Sequence, residues 1–178
     1  MEKGIIQIYF GKGKGKTTAA IGQAVRALGQ GLRVYMAQFL KPIDAFSGEI
    51  AMFKVFGPHF KFRRPNRSCF LDNSLTKNEK EIEKGLIINE INYAREEMSK
   101  GSYDIFIFDE LLTALNLDMI EEHALIELLE MKPEQTEIIL TGLKCKKRIL
   151  DIADLVTDMR SVKHPYKNGL QARRGIEY

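Results

Sequence analysis

Between the apolar run Ile5-Ile6-Gln7-Ile8-Tyr9-Phe10 and the helix formers Thr17-Thr18-Ala19-Ala20 lies Gly11-Lys12-Gly13-Lys14-Gly15-Lys16. A strand-length segment that passes through alternating glycines straight into a helix leaves few folds open. The glycines let the backbone approach a ligand closely, and unpaired N–H groups at the turn and helix start point at an anion. Lys16 adds a mobile positive charge, and the Thr17 hydroxyl suits Mg²⁺. The pattern is that of a phosphate-binding loop, in a variant form: the usual glycine five places before Gly15 is Phe10. The plain alternative is a lysine-glycine turn that merely solvates a strand end.

The rest of the chain repeats the same alternation. Strand-length apolar runs are expected at residues 4–10, 33–40, 105–108, 137–141 and 155–159, with a further strand at 60–63. Most are continuously apolar, which predicts a mostly parallel α/β sheet covered by helices on both faces. Helices are expected over 17–30, stopped by Gly31, and from Thr76-Lys77-Asn78-Glu79, a capping box, to about Lys100 with Gly101 as its stop. Ile87, Ile91, Ala94 and Met98 give that second helix a core-facing side. Asp118-Met119-Ile120-Glu121 repeats the capping logic with an acidic cap before a helix ending near Pro133. Residues 57–75 and 163–178 are the least regular stretches, and the tail before Tyr178 is expected to fold back on the domain.

With 178 residues, 44% of them hydrophobic, the chain suits one well-buried domain spanning 1–178. Its 27 basic and 24 acidic residues leave +3, too mild a bias to argue for nucleic acid. Cys69 and Cys145 lack zinc-ligand spacing and read as free thiols. No leader pattern and no bilayer-length apolar stretch stand out, so a soluble cytoplasmic protein without a membrane partner is expected.

A phosphate loop needs an acidic partner at the tip of a neighbouring apolar strand, and Ile105-Phe106-Ile107-Phe108-Asp109-Glu110 supplies it. Asp109 is expected to hold the Thr17 hydroxyl or a metal-bound water, and Glu110 to ligate Mg²⁺ or polarise a water.

The phosphate loop, Gln38-Phe39-Leu40-Lys41, Phe108-Asp109-Glu110-Leu111, Thr141-Gly142, Ala153-Asp154-Leu155-Val156-Thr157, Val162-Lys163-His164-Pro165 and Gly175-Ile176-Glu177-Tyr178 together resemble the P-loop ATP:corrinoid adenosyltransferases. The resemblance covers nearly the whole chain. It implies a P-loop NTPase-type, recombinase-like fold. It also implies transfer of the adenosyl group of ATP to cobalt(I) of a reduced corrinoid such as cobalamin, with triphosphate leaving and ATP reversed relative to P-loop hydrolases. Gly11, Lys12, Gly13, Lys14, Gly15, Lys16, Thr17, Thr18 and Arg26 are the ATP-binding candidates it implies. Lys16, Thr17 and Glu110 are the catalytic ones, and Thr17 and Glu110 hold Mg²⁺, with Asp109 acting through water. Arg26 reads otherwise as a solvated helical arginine, and His164 as a packing or hydrogen-bonding residue. A homodimer and a flavin reductant protein are implied as well.

This chain departs from the family pattern in carrying Lys12 where asparagine is usual, in beginning almost at its first strand, and in lacking tryptophan. Where relatives use an aromatic pair to displace the corrinoid's lower ligand, Phe60, Phe62 and Phe70 are the candidates to face the corrinoid; the other reading has them anchoring the loop to the core. Two different functions stay open on the residues alone. One is a small kinase or NTPase; the other is a nucleotide-dependent module using Arg63-Arg64-Pro65-Asn66-Arg67 on nucleic acid or protein.

Overall fold

A computed structural model describes residues 2–44, 47–67, 75–163 and 169–176. The apolar runs form six parallel strands in the order β3-β2-β4-β5-β1-β6: β1 (Ile6–Phe10), β2 (Val34–Gln38), β3 (Phe60–Arg63), β4 (Ile105–Asp109), β5 (Glu137–Gly142) and β6 (Leu155–Asp158). Helices α1 (Lys16–Gly29), α2 (Gly48–Phe53), α3 (Lys77–Ser99), α4 (Leu111–Asn116), α5 (Glu122–Glu130) and α6 (Lys147–Ile152) connect them, with a 3₁₀ segment at Lys54–His59. β5 stands between β1 and β4, so the acidic strand is not next to the loop strand as expected. It is one strand further away.

Strand alternation divides the core in two. Tyr35, Ala37, Phe106, Phe108, Ile138 and Leu140 face α3, α4 and α5. Val34, Met36, Ile105, Ile107 and Ile139 face Ala20, Ala24 and Ala27 of α1 and Phe53 of α2. Alanines suit α1 because small side chains let it lie close over the middle of the sheet. Every residue of β2, β4 and β5 is buried, as continuous apolar runs predict. β6 differs: as an edge strand it leaves Leu155 and Val156 exposed.

The helix signals hold at α1 and α3. Gly31 (φ 77°) and Gly101 (φ 65°) take left-handed conformations just past the two ends. Thr76 accepts from the Glu79 N–H at 3.3 Å, and Glu79 Oε2 accepts the Thr76 N–H at 2.7 Å, completing the capping box. At α5 the cap is not Asp118, which sits in a left-handed turn (φ 53°); Glu121 takes the N-cap position in extended backbone.

The candidate nucleotide cleft

Parallel strands bring their C-terminal ends to one edge of the sheet, and the polar residues that end β2, β4 and β5 meet there under the start of α1. The loop is pinned from the side by β6. Gly13 N–H donates to the Met159 carbonyl at 2.6 Å, and a Cβ on Gly13 would lie 2.5 Å from that oxygen. Gly15, left-handed at φ 115°, is the N-cap of α1 and carries no side chain to occupy the helix N–H groups. Those donors are left for a ligand. The ammonium of Lys16 is buried and donates to the carbonyls of Gly11 and Gly13, at 2.8 and 2.9 Å, so it is held within the loop's curve.

Asp109 is fully buried beneath the loop. The Thr17 hydroxyl donates to its Oδ1 at 2.9 Å, and Thr141, from the intervening β5, donates to the same oxygen at 2.7 Å. The Gln38 amide at the end of β2 donates to Oδ2 at 2.8 Å. The separation created by β5 is thus bridged by a β5 side chain. Thr141 also accepts the Glu110 N–H at 2.9 Å, which helps hold Glu110 in a left-handed conformation (φ 63°) unusual for a side-chain-bearing residue. There its carboxylate accepts the Thr113 hydroxyl and lines the cleft. Burial and then the charge of Asp109 raise the Glu110 pKa above the usual glutamate value, while Thr113, Lys16 and Lys41 pull it back.

The cleft encloses about 650 Å³. Lys12, Gly13, Lys14, Gly15, Lys16, Thr17, Thr18 and Glu110 line it, so the structure gathers most of the residues expected from sequence. Gly11 lies behind them, left-handed at φ 114°. The remaining lining comes from Ile21, from Lys41, Gly48 and Glu49, and from Gly175 and Ile176 of the tail. Lys14 Nζ donates to the Ile176 carbonyl at 2.8 Å, so the tail touches the domain at this residue. Four lysines against two glutamates leave a cationic cleft, suited to a polyphosphate.

Several candidates fall elsewhere. Arg26 is exposed in the last turn of α1, about 15 Å along the helix from Lys16, and is not among the cleft residues. Phe60 is buried on Phe53 and Phe56, and Phe62 packs on Phe53 and under the Arg64 guanidinium. Phe60 is thus a core anchor, and Phe62 is half-buried against the same cluster. Phe70, Cys69, His164 and Tyr178 lie outside the described residues. Two arginines of the basic stretch are engaged internally, Arg63 pairing with buried Glu90 at 2.8 Å and covering the Tyr93 ring and Arg64 being buried, while Arg67 is exposed. The Cys145 thiol is pushed up to about 11 by burial, which disqualifies it as a ready nucleophile.

The family model described as ATP:corrinoid adenosyltransferase BtuR/CobO/CobP matches residues 2–178. The chain belongs to that family. It is 32% identical to the corrinoid adenosyltransferase of Escherichia coli K12 over 99% of this chain and 87% of that one. It is likewise 32% identical to corrinoid adenosyltransferase CobA of Salmonella typhimurium, with the same coverage, and to a Sinorhizobium corrinoid adenosyltransferase over 99% and 81%. Among solved structures, the KaiC-like protein PH0186 of Pyrococcus horikoshii superposes with a TM-score of 0.56 at 16% identity, covering 98% of this chain and 76% of that one. That likeness speaks to the α/β P-loop fold alone.

Proposed function

We propose that this family member transfers the 5′-deoxyadenosyl group of ATP to cobalt(I) of a reduced corrinoid, cobalamin or an incomplete precursor, with release of triphosphate. The observation that carries the reading is the cationic loop cleft, with Lys16 buried in the loop and Thr17 fixed by Asp109, in a chain matched along its length by this family. Cobalt(I) supplies the electron pair for the new cobalt–carbon bond, and the C5′–O bond breaks with its electrons passing to the triphosphate oxygen. Cobalt rises formally from I to III. Because the nucleophile comes with the substrate, the protein's part is positioning and stabilisation of the leaving charge. Lys16, with the N–H groups opening α1, meets that charge, and Lys14 and Lys41 add to the field.

The donor set also suits Mg²⁺. The Thr17 hydroxyl donates its hydrogen bond to Asp109 and keeps oxygen lone pairs free for a metal ion, and Glu110 offers a hard carboxylate. No group of three or more acidic, histidine or cysteine side chains that could cage a metal occurs among the described residues. Such a sparse set fits an ion that keeps waters and shares a nucleotide's phosphates. Bound there, the ion would neutralise part of the triphosphate charge. Asp109 positions Thr17, with its own oxygens taken up by protein donors. The reading extends to a cytoplasmic homodimer supplied with reduced corrinoid through a flavin reductant protein, as the family resemblance implies.

The test is an anaerobic assay of the full chain with Mg-ATP and chemically reduced cob(I)alamin, following the corrinoid spectrum and identifying the phosphate product. A light-sensitive cobalt–carbon bond with stoichiometric triphosphate is expected. ADP or phosphate with an unchanged corrinoid would reassign the cleft to phosphoryl chemistry. Lys16→Ala should lower turnover by about a hundredfold or more with the circular dichroism spectrum unchanged; wild-type turnover would remove Lys16 from its role.

A further inference from the structure

The hydrogen bonds around Asp109 continue past the residues that touch the cleft. Gln38 is fully buried, and its amide has only one possible orientation, because a carboxylate only accepts and a guanidinium only donates. Its Nε2 therefore faces Asp109 Oδ2 at 2.8 Å, and its Oε1 receives Arg64 Nε at 2.8 Å and Nη2 at 2.5 Å. Arg64 Nη2 also donates to Ser47 Oγ at 2.9 Å. Burying a guanidinium beside an amide is costly unless its donors are matched, and here matched donors and acceptors run in one direction from Arg64 to Asp109. Ser47 is the N-cap of α2, which carries Gly48 and Glu49 to the opposite wall of the cleft.

We propose that Arg64 and Gln38 are positioning residues for the nucleotide site. The guanidinium fixes the amide, the amide fixes the Asp109 carboxylate, and the carboxylate keeps the Thr17 proton turned inward so that the hydroxyl lone pairs stay available to a metal ion. Neither Gln38 nor Arg64 lines the cleft; Gln38 acts through Asp109, and Arg64 acts through Gln38 and also holds Ser47 at the start of α2. The inference rests on the Mg-nucleotide reading above. It differs from a packing role in one measurable respect, since the defect it predicts is confined to metal-assisted binding.

ATP binding to the full chain, without corrinoid, is measured calorimetrically in Mg²⁺ and in excess EDTA, at a temperature where each variant is folded by circular dichroism. The ratio of the two Kd values reports what the metal adds. Gln38→Met keeps the side-chain length but removes both the amide donor and the amide acceptor; its ratio should fall about tenfold while the Kd in EDTA stays within about twofold. Arg64→Lys keeps the charge but loses the planar fork, and should show the same selective loss at about threefold. In a Thr17→Val background, Gln38→Met should lower the ratio no further, because both changes remove the same hydroxyl. An unchanged ratio in Gln38→Met, or equal weakening with and without Mg²⁺, overturns the positioning role. A wild-type chain that binds no ATP, or gains nothing from Mg²⁺, overturns the underlying Mg-nucleotide reading and the inference with it.

Discussion

Glu110 carries the sharpest conflict at the scale of single residues. Its left-handed backbone and half-buried carboxylate both cost stability, and both place an oxygen at the cleft. Burial and the neighbouring Asp109 raise its folded pKa above the ordinary glutamate value of 4.5. As pH rises through that value the unfolded chain loses its proton first, so stability contributed at this residue falls until the folded carboxyl has ionised too, and is level thereafter. Glu110→Gln keeps the shape and an acceptor for Thr113 while removing the charge. Its melting temperature at pH 7 should therefore exceed wild type by about 2–4 °C, with the gap closing below pH 4.5 and adenosyl transfer lost. A variant no more stable than wild type at pH 7 would show that the charge is not a burden. The loop residues, Asp109 and Glu110 were legible in the sequence because each is a polar group interrupting an apolar or helical pattern. Gln38 and Thr141 gave a weaker form of that signal, a polar residue ending an apolar strand. Arg64 gave none, since an arginine in an irregular, arginine-rich stretch looks solvated until burial is seen. Arg26 misled in the opposite way: sharing a helix with Lys16 is not sharing its end.

Among the elements, those with their own local punctuation were legible. Glycine stops and the Thr76–Glu79 box mark α1 and α3, and apolar runs mark the strands to within a residue or two. The helices at Gly48–Phe53, Leu111–Asn116 and Lys147–Ile152 were missed because six residues are less than two turns and cannot show a 3.6-residue period. The edge position of β6 was not legible, because apolar composition does not say whether a strand is central or at an edge. The capping box offers a clean test, since Thr76 supports α3 through local hydrogen bonds rather than core packing. Thr76→Ala should cost about 1 kcal/mol in urea denaturation with an unchanged m value. A cost below a few tenths would mean that α3 is held by its packed face, through Ile87, Ile91, Ala94 and Met98, and not by its start.

For the whole molecule, the strand order explains why the cleft draws on so much of the chain. With β5 between β1 and β4, the loop strand and the acidic strand are not neighbours: Thr17 at the start of α1 reaches Asp109 directly, Thr141 adds a hydrogen bond from the intervening β5, and Gln38 adds one from β2 on the far side. On the other side, β6 supports the loop through Met159, whose N–H donates to the Phe10 carbonyl at 2.7 Å and whose own carbonyl holds Gly13. The chain then returns over the cleft, and Ile176 reaches Lys14 across 162 positions of sequence. Residues 169–176 are exposed, so the return contributes little to the core. Ending the chain after Arg174 should leave the melting temperature within about 1 °C of wild type. The same truncation removes Gly175 and Ile176 from the cleft wall, and the Kd for Mg-ATP should rise about fivefold, on the order of one kcal/mol. An unchanged Kd would make the tail a bystander. A tighter one would mean that the Ile176 carbonyl competes with the nucleotide for the Lys14 ammonium, and that the tail must leave before ATP can bind fully.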